Sequence, residues 1–375
     1  MTDSMNLSNT TAGTRVCAAV VAALWVVQCA MIQAEPSEPA QPTAPVKTTA
    51  AAFEALPATL FGKDTAWACY ADLTRVQEED LAGALSGLDE VLAPTYGDAQ
   101  AADDIADLVL AYSEFRTELM AAGGTALVLL ADLTPDQTDA IRPVLLVGVS
   151  EDAEASGVLS ALQPLLDGVV TASDDATLQR VAPGWMKVEG VGRLGSGQTD
   201  GTAENRDTLA EALSAHAELP LRMAMRITPA MRSGLRRAAG LPAEGETQEM
   251  VLTNAFAVVV RDVAERVVPI ERVSLAARVD EGPRVEGCLW FPGEEEAEAF
   301  GVAADGFLNL AGQLMAPAEG DTTDRTTDIN RLLAAARMTR EGRRLRAELK
   351  TEDLAVALKL GPSLAMMLLM GNTDP

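Results

Sequence analysis

The chain of 375 residues contains one histidine, His216. A single imidazole cannot supply a His-rich metal site, and it disfavours histidine acid–base chemistry. It falls late in a polar segment that starts near Ala203, with no serine or cysteine motif beside it. His216 therefore reads as an exposed helix residue. The stretch Gly190-Val191-Gly192-Arg193-Leu194-Gly195 matches GxGxxG. A dinucleotide site needs a helix to open within that motif, so that its amides meet a pyrophosphate. Here Ser196-Gly197-Gln198-Thr199-Asp200-Gly201 follows, which breaks a helix, so the stretch reads as a loop and no cofactor is implied.

The acidic residues offer three groups. Glu78, Glu79 and Asp80 fall in the first turn of an expected helix, where they complement its dipole. Asp103 and Asp107 are one turn apart, and Asp321, Asp324 and Asp328 lie in a Thr/Asp-rich stretch that suits loose Ca²⁺ binding, without the EF-hand order of ligands. Solvated faces are the simpler reading of all three. No carboxylate pair stands out for glycosidase chemistry, so catalytic residues stay unassigned. Against this acidic background Arg337, Arg340, Arg343, Arg344 and Arg346 form a basic cluster. On a hairpin turning at Glu341-Gly342 they would offer a surface for an anionic polymer, a lipid surface or an acidic subunit, unless they pair with carboxylates of the same chain.

The elements that position these residues follow from composition. Lys and Arg number 29 against 55 Asp and Glu, a formal charge of −26, which repels phosphate backbones and disfavours nucleic acid as a partner. Hydrophobic residues make up 48 % and aromatics 4 %, so a core must be built mainly from Ala, Val and Leu. Arg15 precedes the uncharged run Val16–Val27, and a cleavage site after Ala34 fits the pattern of a signal peptide over residues 1–34. Retained, the same segment is a short N-terminal membrane anchor. Removed, it leaves a periplasmic or secreted chain with no membrane span. The Pro/Ala/Thr-rich segment 35–55 then reads as disordered. Cys69 and Cys288 remain, each in an expected strand, as candidates for a disulfide in an oxidising compartment. No CxxC spacing is present, so zinc and redox centres are not indicated.

Along the mature chain the pattern predicts a strand at Thr65–Leu73, two helices, strands at Thr125–Leu133 and Pro143–Val149, a helix from Asp152, and a strand at Trp185–Val191. Thr74 with Gln77 has the spacing of a capping box. A similar order follows: a strand at Leu221–Ile227, a helix capped by Thr228 with Pro229 in its first turn, a longer helix, a hairpin Val273–Asp280 and Arg284–Phe291, a helix Glu294–Met315 and a strand Arg343–Lys350. The expected fold is α+β, with two similar β-α-α-β-β-α-β units whose antiparallel sheets are covered by helices. The units span 56–195 and 219–375, the second ending in a C-terminal helix; 196–218 is a linker and connecting helix. Whether the units share a sheet is left open.

Ala71-Asp72-Leu73-Thr74, following Leu56-Pro57-Ala58, and later Val273-Ser274-Leu275-Ala276-Ala277-Arg278-Val279 before a charged hairpin and a Glu/Ala-rich helix, carry a resemblance. The chain resembles exported bacterial proteins of unknown function with duplicated α+β units. That resemblance implies no activity and no site residue. The expectation is a non-enzymatic envelope protein with a binding or scaffolding role toward an unknown protein or envelope component. An Asp/Glu-dependent hydrolase and a Ca²⁺- or ligand-binding module are the alternatives.

Overall fold

Runs rich in Val, Leu and Ala alternate between two covered faces, and they assemble into one antiparallel sheet. The computed structural model describes residues 53, 56–62, 65–85, 98–132, 143–169, 176–189, 203–238, 262–263, 265–278, 284–315 and 337–350. The strands are β1 (Thr65–Asp72), β2 (Gly124–Asp132), β3 (Pro143–Val149), β4 (Thr177–Ala182), β5 (Trp185–Glu189), β6 (Leu221–Arg226), β7 (Arg272–Arg278), β8 (Arg284–Trp290), β9 (Thr339–Glu341) and β10 (Arg344–Lys350). They form one ten-stranded sheet in the order β4-β5-β3-β2-β1-β6-β7-β8-β10-β9. The fold is α+β, and the halves are not separate sheets: β1 and β6 pair directly, with Ala68 opposite Ala224 and Tyr70 opposite Arg222.

The helices are α1 (Glu78–Leu85), α2 (Asp98–Ala121), α3 (Ala155–Val169), α4 (Ala203–Ser214), α5 (Pro229–Ala238) and α6 (Glu294–Met315). Three layers result. On one face Leu209, Ala210, Ala212 and Leu213 of α4 meet Ala68, Tyr70 and Ala224 in a core that Phe53, Leu56, Leu60 and Phe61 complete. On the other face α2 and α3 bury Phe115, Leu119, Val158 and Leu162 against Leu145, Val147 and Val188 of the first half. There α6 buries Ala297, Phe300 and Ala304 against Leu345 and Phe291 of the second half. Each fully buried Leu or Phe contributes about 1.5–3 kcal/mol through removal from water.

Local chemistry sets the boundaries. Thr228 accepts the Met231 amide at 3.2 Å, with Pro229 opening α5, an N-cap as expected. Thr74 does not cap a helix. Its hydroxyl donates to Asp72 Oδ1 at 2.6 Å, and α1 starts only at Glu78. The Asp side chain competes for the groups a capping box would use. Gly342, with φ of 62°, turns the β9–β10 hairpin where a side chain would be strained.

The structure adds to the reading in three places. Strand β4 was not anticipated; it pairs with β5 and forms one edge of the sheet. Phe53, inside the segment read as disordered, is buried and meets Phe61 edge-on at 5.5 Å. Within 196–218, read as a linker and connecting helix, α4 lies over the sheet centre with Leu209 and Ala212 at 0 % exposure. The rest of 1–55, the GxGxxG stretch and the C-terminal segment 351–375 lie outside the described residues.

Candidate functional site

His216 lies two residues beyond α4, in the turn that follows it. The buried stripe Leu209, Ala212, Leu213 continues at helical spacing to residue 216, so the imidazole points into the sheet. Leu219 N–H donates to His216 O at 2.9 Å, and Pro220 then leads into β6. On the sheet beneath, Ser274 of β7 lies between Ala224 of β6 and Cys288 of β8. Glu286 of β8 faces the same side two residues along. The small side chains of Ala224 and Ala276 leave room for the ring, and both are buried.

The result is an ordered polar chain. His216 Nε2 is 2.7 Å from Ser274 Oγ, and His216 Nδ1 is 3.2 Å from Glu286 Oε2. A carboxylate only accepts, so the Nδ1–H donates to Glu286, while Nε2 and the Ser274 hydroxyl share the second hydrogen bond. Arg346 of β10 donates to Glu286 Oε2 at 2.5 Å, and the Arg284 guanidinium pairs with Oε1. Arg284 also reaches Glu348 at 3.7 Å and Glu218 at 3.9 Å. Burial pushes the Glu286 carboxyl upward. The His216 hydrogen bond and the charges of Arg284 and Arg346 outweigh it and hold the group below the usual carboxylate range.

Hydroxyl, imidazole and carboxylate in this order are what general-base activation of a serine requires. The setting differs from that of a nucleophile. Ser274, His216 and Glu286 are each 0 % exposed. Ser274 sits within a central strand with its backbone committed to neighbours on both sides. A nucleophile must come within about 3–3.5 Å of a carbonyl carbon, with donors ready for the oxyanion. A substrate has no route to the hydroxyl among the described residues. The arrangement orders a joint: it fixes the turn after α4 to β7, β8 and β10.

Sequence reasoning placed His216 on the surface, and the structure overturns that. Its partners are 58 and 70 positions away, so no local motif announced them. The helical stripe was the available signal. Arg222, a buried cation, was also missed. It lies 4.4 Å over the Tyr70 ring, and among the described residues its Nε and Nη2 have no hydrogen-bond partner. Burial, the largest effect on it, lowers its pKa.

The basic cluster does not converge on one surface. Arg340 shares the α6 side with Leu345 and pairs with Glu298 at 2.8 Å. Arg344 and Arg346 lie on the α4 side, on Glu341 and Glu286. Arg343 at the turn is 3.7 Å from Glu271 and 3.9 Å from Glu211, and Arg337 is exposed. Four of the five are thus engaged within the chain.

Cys69 and Cys288 are both free and buried. They lie on β1 and β8, three strand spacings of about 4.8 Å apart, and on opposite faces of the sheet. A disulfide needs Cα atoms within about 7 Å, so the pairing considered from sequence is corrected. Burial pushes the Cys288 thiol up to about 11, against the pull of Arg344 and Arg346. Asp107 is exposed, and Asp321, Asp324 and Asp328 lie outside the described residues. Among the described residues no three His, Cys, Asp or Glu gather in a metal-binding group. Among them, too, no helix is long and apolar enough to cross a membrane.

No protein-family model matches the chain. No curated protein matches it either. A solved structure, crystal form I of TP0453, aligns with 81 % of this chain and 96 % of that chain, at 10 % identity and a TM-score of 0.28. Likeness at that level assigns neither fold nor role.

Proposed function

We propose that the chain is an exported protein of the cell envelope that binds or scaffolds a partner and catalyses no reaction of its own. The observation that carries this reading is the sealing of Ser274, His216 and Glu286. The residues best ordered for chemistry are spent on holding α4 to the sheet. The pattern over residues 1–34 supports export. We further read the fold as two similar units fused through β1 and β6. What supports this is the strand order, which runs β1-β2-β3-β5-β4 outward on one side and β6-β7-β8-β10-β9 on the other.

A second reading is a serine hydrolase that opens to substrate, favoured by the 2.7 Å and 3.2 Å contacts of His216. One experiment separates the two. The folded protein is treated with a fluorophosphonate probe and mapped by mass spectrometry, with Ser274→Ala as reference. No adduct at Ser274 is expected. Labelling of Ser274 that disappears in Ser274→Ala would replace the binding reading by the hydrolase.

A further inference from the structure

We propose that the corner of the sheet beside the turn after α4 holds a phosphate-type oxyanion, gripped by Arg222 from within and by Arg278 and Arg284 from the rim. The site goes beyond the binding reading above and is tested separately from it.

Three observations meet there. The first is the state of Arg222. It is 3 % exposed, and among the described residues neither Nε nor Nη2 is hydrogen-bonded. These two nitrogens form one edge of the guanidinium. Their N–H bonds run parallel, the geometry that takes two oxygens of one anion. The Tyr70 ring, 4.4 Å away, fixes the plane of that fork. A ring face offsets only part of the cost of burying a cation. Asp72 and Glu218 are near enough for their charges to act on Arg222. Asp72 Oδ1 instead accepts the Thr74 amide at 3.1 Å and the Thr74 hydroxyl at 2.6 Å. Glu218 lies toward Arg284, at 3.9 Å. The fork is left for an ion from outside the chain.

The second is convergence. Arg222 stands opposite Ala276 of β7, and Ala276 stands opposite Glu286 of β8. Two residues along these strands, on the same face, Arg278 is opposite Arg284. Arginines from β6, β7 and β8 therefore surround one small side chain. Arg75 adds a fourth positive charge that acts on Arg222. The chain as a whole carries −26, so this corner runs against its field. Glu286 orients Arg284, whose Nε has no hydrogen bond among the described residues. Donors arriving from three strands suit a tetrahedral anion with several oxygens better than a planar carboxylate with two.

The third is approach. The corner meets solvent at Arg284 and Glu218, whose side chains are 30 % and 51 % exposed. Movement of these outer side chains admits an ion to Arg222. Ser274, beneath the turn after α4, has no such rim.

The test uses the full chain, with inorganic phosphate and methyl phosphate compared against chloride at matched ionic strength. Phosphate at about 10 mM is expected to raise Tm, as any ligand of the folded state does. A rise with methyl phosphate assigns an esterified group, and a rise with inorganic phosphate alone assigns the free ion. By calorimetry, Arg222→Met should weaken phosphate at least about tenfold, the loss expected for charge-assisted hydrogen bonds. Arg222→Lys, which keeps the charge and removes the fork, should weaken it too. Arg340→Gln, on the α6 side of the sheet, should not. A readout on the wild type needs no variant to fold. Phosphate should slow modification of Arg284 by cyclohexane-1,2-dione, mapped by mass spectrometry, and leave Arg340 unchanged. The proposal is overturned if neither phosphate probe raises Tm above chloride, or if Arg222→Met binds like wild type. It is also overturned if Arg340→Gln loses as much, or if Arg284 reacts equally with and without phosphate. None of these outcomes touches the binding reading, which fails separately if Ser274 takes the fluorophosphonate.

Discussion

Glu286→Gln removes the charge at the heart of the polar joint while keeping its shape. The Glu286 side chain is 0 % exposed, whereas Arg284 and Arg346 are 30 % and 29 % exposed. Breaking a buried ion pair from one side costs about 3–5 kcal/mol. Water reaches the two guanidiniums, so the lower end, about 3 kcal/mol, applies here. For a folded body of this size that corresponds to a fall in Tm of about 6–12 °C. The sign with pH also follows. Although burial raises it, the Glu286 carboxyl is held below its ordinary range in the fold. Its stabilisation is then present above the unfolded carboxylate pKa and is lost as pH falls through the folded value. Thermal melts by circular dichroism, from neutral pH down through the carboxylate range, should show a wild-type to variant gap that is widest at neutral pH and closes in acid. Adding Arg346→Gln should cost less than the sum of the single changes, because the stranded guanidinium is gone. A Glu286→Gln protein melting within about 0.5 kcal/mol of wild type, the scale of an ordinary surface substitution, would refute the claim that the carboxylate is sealed and paired.

Two further predictions use the packing alone. Cys69 and Cys288 should both titrate as free thiols in denaturant without reductant, and alkylate slowly in the folded protein; a peptide linking Cys69 to Cys288 in a non-reducing digest would contradict their placement. Gly123→Ala should destabilise, since φ is 90° and a Cβ would meet Ala153 Cβ and Ser150 Oγ at 2.7 Å. Gly306→Ala, exposed on α6 with nothing within 4 Å, should instead stabilise by up to about 1 kcal/mol. Chemical denaturation of the two variants checks the opposite signs.

How far the fold was legible depended on whether pattern or distance carried the information. The span 294–315 was read as a helix end to end, and Pro143–Val149 as a strand, because their apolar periods are clean. The hairpin turning at Glu341-Gly342 was legible from its alternation. Strand β4 was not, since Thr-Leu-Gln-Arg-Val-Ala is half exposed and nowhere fully buried at a sheet edge, and carries no period of two. The other face of β7 was illegible for a different reason. Val273, Leu275 and Ala277 mark one face, but Ser274 between them carries no signal of what it meets. In a sheet covered on both sides the polar position is buried too, and only the tertiary structure shows what it meets. Ser274, His216 and Glu286 were each visible in the sequence, but their convergence was not.

The two ends of α4 explain why a polar joint stands at the centre of an otherwise Ala- and Leu-rich core. At its start, Asn205 Nδ2 donates to Gly62 O at 2.7 Å and ties the segment before β1 to the helix. Near its end, Arg272 of β7 donates to Thr208 O at 3.1 Å and to Glu211 Oε2 at 2.5 Å, with its guanidinium 5.4 Å from the centre of the Trp290 ring. His216 then pins the following turn to Ser274 and Glu286. Apolar contact is non-directional, and a helix lying over Ala68, Ala224 and Ala276 would slide on small side chains at little cost. Directed bonds at both ends select one position along the sheet. The same bonds fix where β6 begins, two residues after the Leu219–His216 bond closes the turn, and hence the register of β1 with β6 on which the continuous sheet depends.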